Sequence, residues 1–223
     1  MTSRAYGWLP PPEGHRGTRA RASLDELDQL PAHVELAVRP PVTDQGPLGS
    51  CTGHAVACAL TARMAFQSLG SWTPSPLDLY LGGRQRAGTV DRDAGAMLAD
   101  VLAHAELDGF APDAHWPYVE HIGAFRGPSP PALVAARIHT RLITHEPLDW
   151  HLDTIRWELA CGYPVVLGLR VYPGFEGVGA DAVIPMPDGA QVGGHAVCVV
   201  GYNDTRGALL IQNSWGTSWG ARG

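Results

Sequence analysis

Apolar residues recur at helical spacing in three stretches and as near-continuous β-forming runs in three others, and the helical stretches come first. Val56, Ala59, Leu60 and Met64 form an i, i+3, i+4 stripe. They predict a helix over 51–69, with Ser50 as its N-cap and Gly70 just past its end. Leu98, Val101, Leu102 and Ala105 predict a second helix over 94–108, capped by Asp93 and followed by Gly109. Ile155 and Leu159, one turn apart, predict a third from about 153 to 161, stopping at Gly162. In the last third, 164–172 and 196–202 are β-rich. The turn cluster 203–207 leads into 208–212, which is expected to pair back as the next strand. This order predicts an α+β protein with two lobes.

The remaining segments are punctuated by Pro and Gly. Residues 4–22 have no apolar period and are expected to be an extended arm. Leu24, Leu27 and Leu30 offer one short helical face before Pro31, and the prolines of 38–42 force that stretch to be extended. A loop is expected over 124–131, and 173–192 reads as a long exposed connection. The division that follows is an arm over 1–30 and one domain over 31–223. Its helical lobe spans about 45–125 and its β lobe about 130–223.

Composition narrows the function classes. The chain has 223 residues, enough for one large domain or two small lobes. A net charge of −6 with no basic stripe argues against nucleic acid as a partner. No apolar run is long enough to span a membrane, and the first residues lack the apolar core of a signal peptide. A cytoplasmic location is therefore expected. The four cysteines, Cys51, Cys58, Cys161 and Cys198, do not suggest a disulfide scaffold, so free thiols are expected. Nothing in the sequence specifies an oligomeric state.

Three blocks carry candidate chemistry: Gln45-Gly46-Pro47-Leu48-Gly49-Ser50-Cys51, Gly193-Gly194-His195-Ala196 and Gln212-Asn213-Ser214-Trp215-Gly216. A cysteine in the first turn of a helix faces unpaired backbone N–H groups and the positive end of the dipole, which favour a thiolate. A histidine on a strand can point its ring across a cleft as base and acid. An asparagine on the neighbouring strand can accept from one ring nitrogen and leave the other for the sulfur. Gln45 and the Cys51 N–H are candidate donors to an oxyanion, and Trp215 and Trp219 are placed to cover the His195–Asn213 bond. Cys58, Cys161 and Cys198 read as small buried hydrophobes, and His54 as a partly exposed helix residue beside the cleft. A competing zinc site of Cys51, His54, Cys58 and His195 lacks the paired spacing such sites show.

At these blocks the chain resembles the papain-like cysteine peptidases, and its Tyr6-Gly7-Trp8-Leu9-Pro10 start looks like that of the bacterial, non-secreted type without a long propeptide. The resemblance runs from about Pro31 to the end. It implies that Cys51 is the nucleophile, His195 the base and acid, Asn213 the orienter and Gln45 the oxyanion donor. It also implies a helical left lobe and a β-barrel-type right lobe with the cleft between them. Gly95, by the same resemblance, lies in the segment that holds an extended peptide. Ala96, Met97 and Ala196 line the pocket for the second residue before the cut, and Gly194 and Trp215 complete the substrate-binding set. Leu48 and Thr52 depart from the family pattern. Only about forty residues precede Gln45, so control by a long pro-segment is not expected, and the chain is expected to be cut short at Gly223. The expected reaction is hydrolysis of peptide bonds in a peptide or protein substrate through an acyl-thioester, with no metal or organic cofactor. Acyl transfer, exopeptidase action, a non-catalytic peptide-binding domain and the zinc module stand as alternatives.

Overall fold

The computed structural model describes residues 5–11, 24–70, 72–120, 130–137 and 144–223. Most of the arm and of the loop expected over 124–131 therefore lie outside the described residues. The elements in chain order are β1 (Trp8–Leu9), α1 (Leu24–Asp28), β2 (His33–Glu35), α2 (Cys51–Phe66), α3 (Pro76–Arg86), β3 (Ala96–Met97), α4 (Leu98–Leu107), α5 (Pro131–Ala136), α6 (Leu152–Ala160), β4 (Val165–Val171), α7 (Pro173–Glu176), β5 (Gly193–Asn203) and β6 (Ala208–Gln212).

Helix α2 is buried on nearly all sides, not on one stripe. Val56, Leu60 and Met64 pack with α3 and α4 residues such as Leu77, Tyr80 and Val101. Ala59 and Cys58 turn the other way, against Cys198 and Val200 of β5. A helix apolar all round suits a place between two layers. Ser50 precedes this helix without capping it. Its hydroxyl instead meets the Tyr118 hydroxyl at 2.6 Å. Helix α4 begins at Leu98, because Ala96–Met97 is extended and pairs with β1. Asp93 is not its cap and accepts from the Gly49 N–H at 2.9 Å.

Helix α3 is absent from the sequence reading. Ser75 caps it by accepting from Asp78 N–H at 3.2 Å, and Pro76 opens it. The Asp78 carboxylate is fully buried and receives Arg137 Nη2 at 2.6 Å and Ala111 N–H at 2.8 Å.

The β lobe corrects the expectation of a barrel. Its four-stranded sheet is built on β5: β4 and β2 lie along it in the order β2-β5-β4, and β6 also pairs with β5. Neighbouring strands are antiparallel throughout. Among the described residues β4 and β6 pair with β5 and not with each other, so the sheet stays open. The architecture is α+β with two lobes, a helical one and an open-sheet one. Val165, Val199, Tyr202, Ile155 and Leu159 form the core between this sheet and α6. The connection 173–192 is not wholly exposed, because α7 inserts Phe175, and Val178 follows it, against Trp215 and Trp219.

Candidate active site

Cys51 is the first residue of α2 and is fully buried. Burial pushes its thiol up to about 11, although backbone groups of Ala196, Gly7, Thr52 and Cys51 itself hydrogen-bond to the sulfur and pull the other way. Ala196 follows His195 on β5, so this contact joins the two lobes at the sulfur. Cys51, Ala55 and Ala196 also share one buried cluster.

His195 is the third residue of β5, paired with Leu169 of β4. Its Nε2 lies 2.7 Å from Asn213 Oδ1, just after β6, and both residues are buried. Asn213 Oδ1 also accepts from Ser214 N–H at 2.7 Å. The Trp215 indole lies against the imidazole at 4.8 Å between ring centroids, and Phe175 meets it edge-on at 5.8 Å. Trp219 packs on Trp215 and Phe175 and donates through Nε1 to Phe175 O at 2.9 Å.

Gln45 is fully buried and held at both ends of its amide. Ser214 Oγ donates to Oε1 at 2.7 Å, and Nε2 donates to Leu48 O at 2.8 Å. The segments themselves are joined by backbone bonds, Gln45 N to Ser214 O at 2.9 Å and Gly216 N to Thr43 O at 2.9 Å. Tyr118 adds a bond from its hydroxyl to Gln45 O at 2.8 Å. Ser214, Tyr118 and Phe175 thus shape the site, and none was singled out from sequence. Ser214 lay inside a quoted block. Phe175 had no signal.

The groove over the sulfur holds residues 5–9 of the same chain. Ala5 O accepts from Gln45 Nε2 at 3.2 Å. Gly7 O accepts from Ala96 N–H at 2.7 Å, and β1 then runs parallel to β3 with Trp8 beside Ala96 and Leu9 beside Met97. The Tyr6 ring stands edge-on to Trp215 at 6.3 Å, and its hydroxyl bonds Glu176. Trp8 packs against the cluster of Cys51, Ala55 and Ala196, together with Leu98 and Val166. Gly7 is pressed so close that a Cβ there would lie 1.7 Å from Gly49 O. Gly168 and Gly194 also face Trp8 closely: a Cβ at Gly168 would lie 2.1 Å from its indole, and one at Gly194 2.5 Å from its carbonyl oxygen. The positions expected to bind substrate, Gly95, Ala96, Met97, Gly194, Ala196 and Trp215, therefore all lie at or beside this segment.

His54 departs from its reading as a partly exposed residue. It is buried, with Nδ1 2.8 Å from Thr43 Oγ1 and its ring edge-on to Tyr118. Burial drives its pKa down to about 3, with Asp44 opposing and His195 adding to the shift, so the ring is neutral. Among the described residues no group of three or more His, Cys, Asp or Glu is placed to hold a metal ion. No helix among them is long and apolar enough to cross a membrane.

Comparisons with known proteins point to one family. Residues 30–223 match the family model described as papain family cysteine protease. The crystal structure of xylellain, a cysteine protease from Xylella fastidiosa, superimposes with a TM-score of 0.83 at 29% identity, covering 98% of this chain and 87% of that one. An uncharacterized peptidase C1-like protein of Acanthamoeba polyphaga mimivirus is 30% identical over 193 residues, covering 81% of this chain. A cathepsin B-like protein of Giardia intestinalis is 29% identical over 212 residues, covering 92% of this chain and 68% of its own length. The chain spans 61% of the mimivirus protein.

Proposed function

The chain belongs to the papain family of cysteine proteases, and from that premise we propose that it cleaves peptide bonds through a thioester on Cys51. Cys51 Sγ attacks the carbonyl carbon while its proton passes to His195 Nδ1. The carbonyl oxygen becomes an anion, held by Gln45 Nε2–H and the Cys51 backbone N–H. His195 returns the proton to the departing amine as the C–N bond breaks. A water then attacks the thioester, gives its proton to His195, and releases the acid and the thiol. Asn213 Oδ1 fixes the ring so that Nε2 carries a proton and Nδ1 faces the chemistry.

One observation carries this reading most strongly. Gln45 Nε2 already donates to a peptide carbonyl, that of Ala5, while the sulfur meets the backbone of Ala196, the residue after His195 on β5. Ala5 O stands in for the carbonyl oxygen of a substrate. The segment bearing it is laid backwards. On the family pattern, residues preceding the cut lie along Gly95–Met97. Here that stretch is met by Trp8 and Leu9, which follow Gly7 in the chain. A peptide reaches Cys51 only when residues 5–9 leave.

The test is hydrolysis of a peptide amide by the full chain and by Gly7→Val, whose side chain has no room beside Gly49 O. Expected is cleavage that rises in Gly7→Val and vanishes when Cys51→Ala is added. Cleavage that survives Cys51→Ala refutes the mechanism.

A further inference from the structure

The two ends of the Asn213 amide are treated differently. Oδ1 has two donors, His195 Nε2 and Ser214 N–H. Nδ2 is buried and has no hydrogen-bond partner among the described residues. His54, one turn along α2 from Cys51, is the matching case: Nδ1 meets Thr43, whereas Nε2 is buried with no partner among the described residues. Buried polar atoms of this kind almost always have a partner, protein or water.

Both side chains line one cavity of about 20 Å³, whose wall also includes Thr43, Pro40 and Cys58. A space of about 10–15 Å³ admits one water, and a water needs polar atoms to hold it. The chemistry of the two atoms is complementary. Asn213 Nδ2 can only donate. The His54 ring is neutral, and in the tautomer that gives its Nδ1 proton to Thr43 Oγ1, 2.8 Å away, its Nε2 can only accept. The groups facing this ring are Thr43, Tyr118, Asp44 and His195.

We propose that one ordered water in this cavity accepts from Asn213 Nδ2 and donates to His54 Nε2, making His54 a positioning residue for the catalytic amide. The water ties down the end of Asn213 that faces away from His195. The amide plane then cannot swing without breaking three bonds at once, and the acceptor stays aimed at His195 Nε2. His54 lies on the helix that carries Cys51, so the bridge also ties the asparagine to the nucleophile's own element. The kinetic part of this inference rests on the proposed peptidase reaction, and the solvent part does not.

Two measurements test it. A crystal structure of the full chain that resolves ordered solvent is expected to show one water within hydrogen-bond distance of both atoms, and none there in His54→Phe. On the Gly7→Val form, His54→Phe is expected to lower kcat/KM about tenfold and to narrow its pH profile, because the thiolate–imidazolium pair loses part of its support. His54→Gln, which keeps an acceptor, is expected to recover most of both. A dry cavity overturns the proposal, as does a His54→Phe protein with an unchanged pH profile. Should His54→Phe fail to fold, the wild-type solvent peak and His54→Gln still decide. If Gly7→Val shows no Cys51-dependent cleavage, the peptidase reading fails instead, and the solvent peak alone decides this inference.

Discussion

The two walls of the groove are protected in different ways. On the sheet wall the His195–Asn213 bond is covered by Trp215 and Phe175, which are built into the lobe and braced by Trp219. On the helix wall the sulfur of Cys51 and the amide of Gln45 are covered by residues 5–9, a short segment held by backbone bonds and by the side chains of Tyr6 and Trp8. The first cover is permanent and keeps water from competing for a buried hydrogen bond. The second must be removable if the proposed reaction is to run. On that reading the base is set in advance and the nucleophile waits for residues 5–9 to leave, its thiol raised to about 11 by burial even though the Gly7 backbone pulls the other way.

The sharpest way to break this contrast is to strip the permanent cover. Trp215→Ala is expected to cost about 3–5 kcal/mol of stability, read as a fall in Tm, because a fully buried indole and its packing on three aromatic neighbours are lost. Opening the removable cover is expected to leave the fold intact. In Gly7→Val the Cys51 thiol regains solvent and its pKa falls from about 11 towards its ordinary value near 9. A raised pKa favours the neutral thiol, so labelling of the closed protein is expected to be slow at neutral pH and to rise only at high pH. A return to the ordinary value is expected to raise the thiolate present at neutral pH by up to about 100-fold. Iodoacetamide labelling of Cys51 against pH measures this, and equal profiles for the two proteins would show that the segment does not gate the sulfur.

Smaller effects refine the picture. Ser214→Ala removes the hydroxyl that holds Gln45 Oε1, and is expected to lower kcat/KM about tenfold with little change in KM. A change confined to KM would mean that Gln45 is not serving the transition state. Gly168→Ala adds a Cβ 2.1 Å from the Trp8 indole. It is expected to loosen the segment and speed Cys51 labelling, by less than Gly7→Val does, since Gly7 meets rigid backbone and Gly168 a side chain.

What the sequence made legible follows the same division. Elements with a clean local pattern were readable: α4 from Leu98, Val101 and Ala105, α6 from Ile155 and Leu159, and β4, β5 and β6 from their apolar runs. Elements defined by distant partners were not. β1 is two residues long and exists because Gly7 and Trp8 meet β3. β2 is three residues long, too short for a period, and is fixed by β5. α3 is buried on all sides and contains Gly82-Gly83, so no stripe shows, although Ser75-Pro76 before Asp78 was a usable start signal. The open sheet in place of a barrel is likewise a matter of which strand edges meet, which no local pattern records. His54 belongs to the same class. Its helix position suggested exposure, but Thr43 and Tyr118 arrive from elsewhere in the chain to enclose it. The three motif blocks were readable because Cys51, His195 and Asn213 each sit at or beside the start or end of a regular element. The segment that fills the groove carries no such mark.

The most direct test of the gated thiol–imidazole pair is the rate of peptide-amide cleavage by Gly7→Val, measured with and without Cys51→Ala. Expected is turnover in the first protein, above that of the unaltered chain, and none in the second. Turnover that persists without the sulfur, or an opened groove that still cleaves nothing, would contradict it.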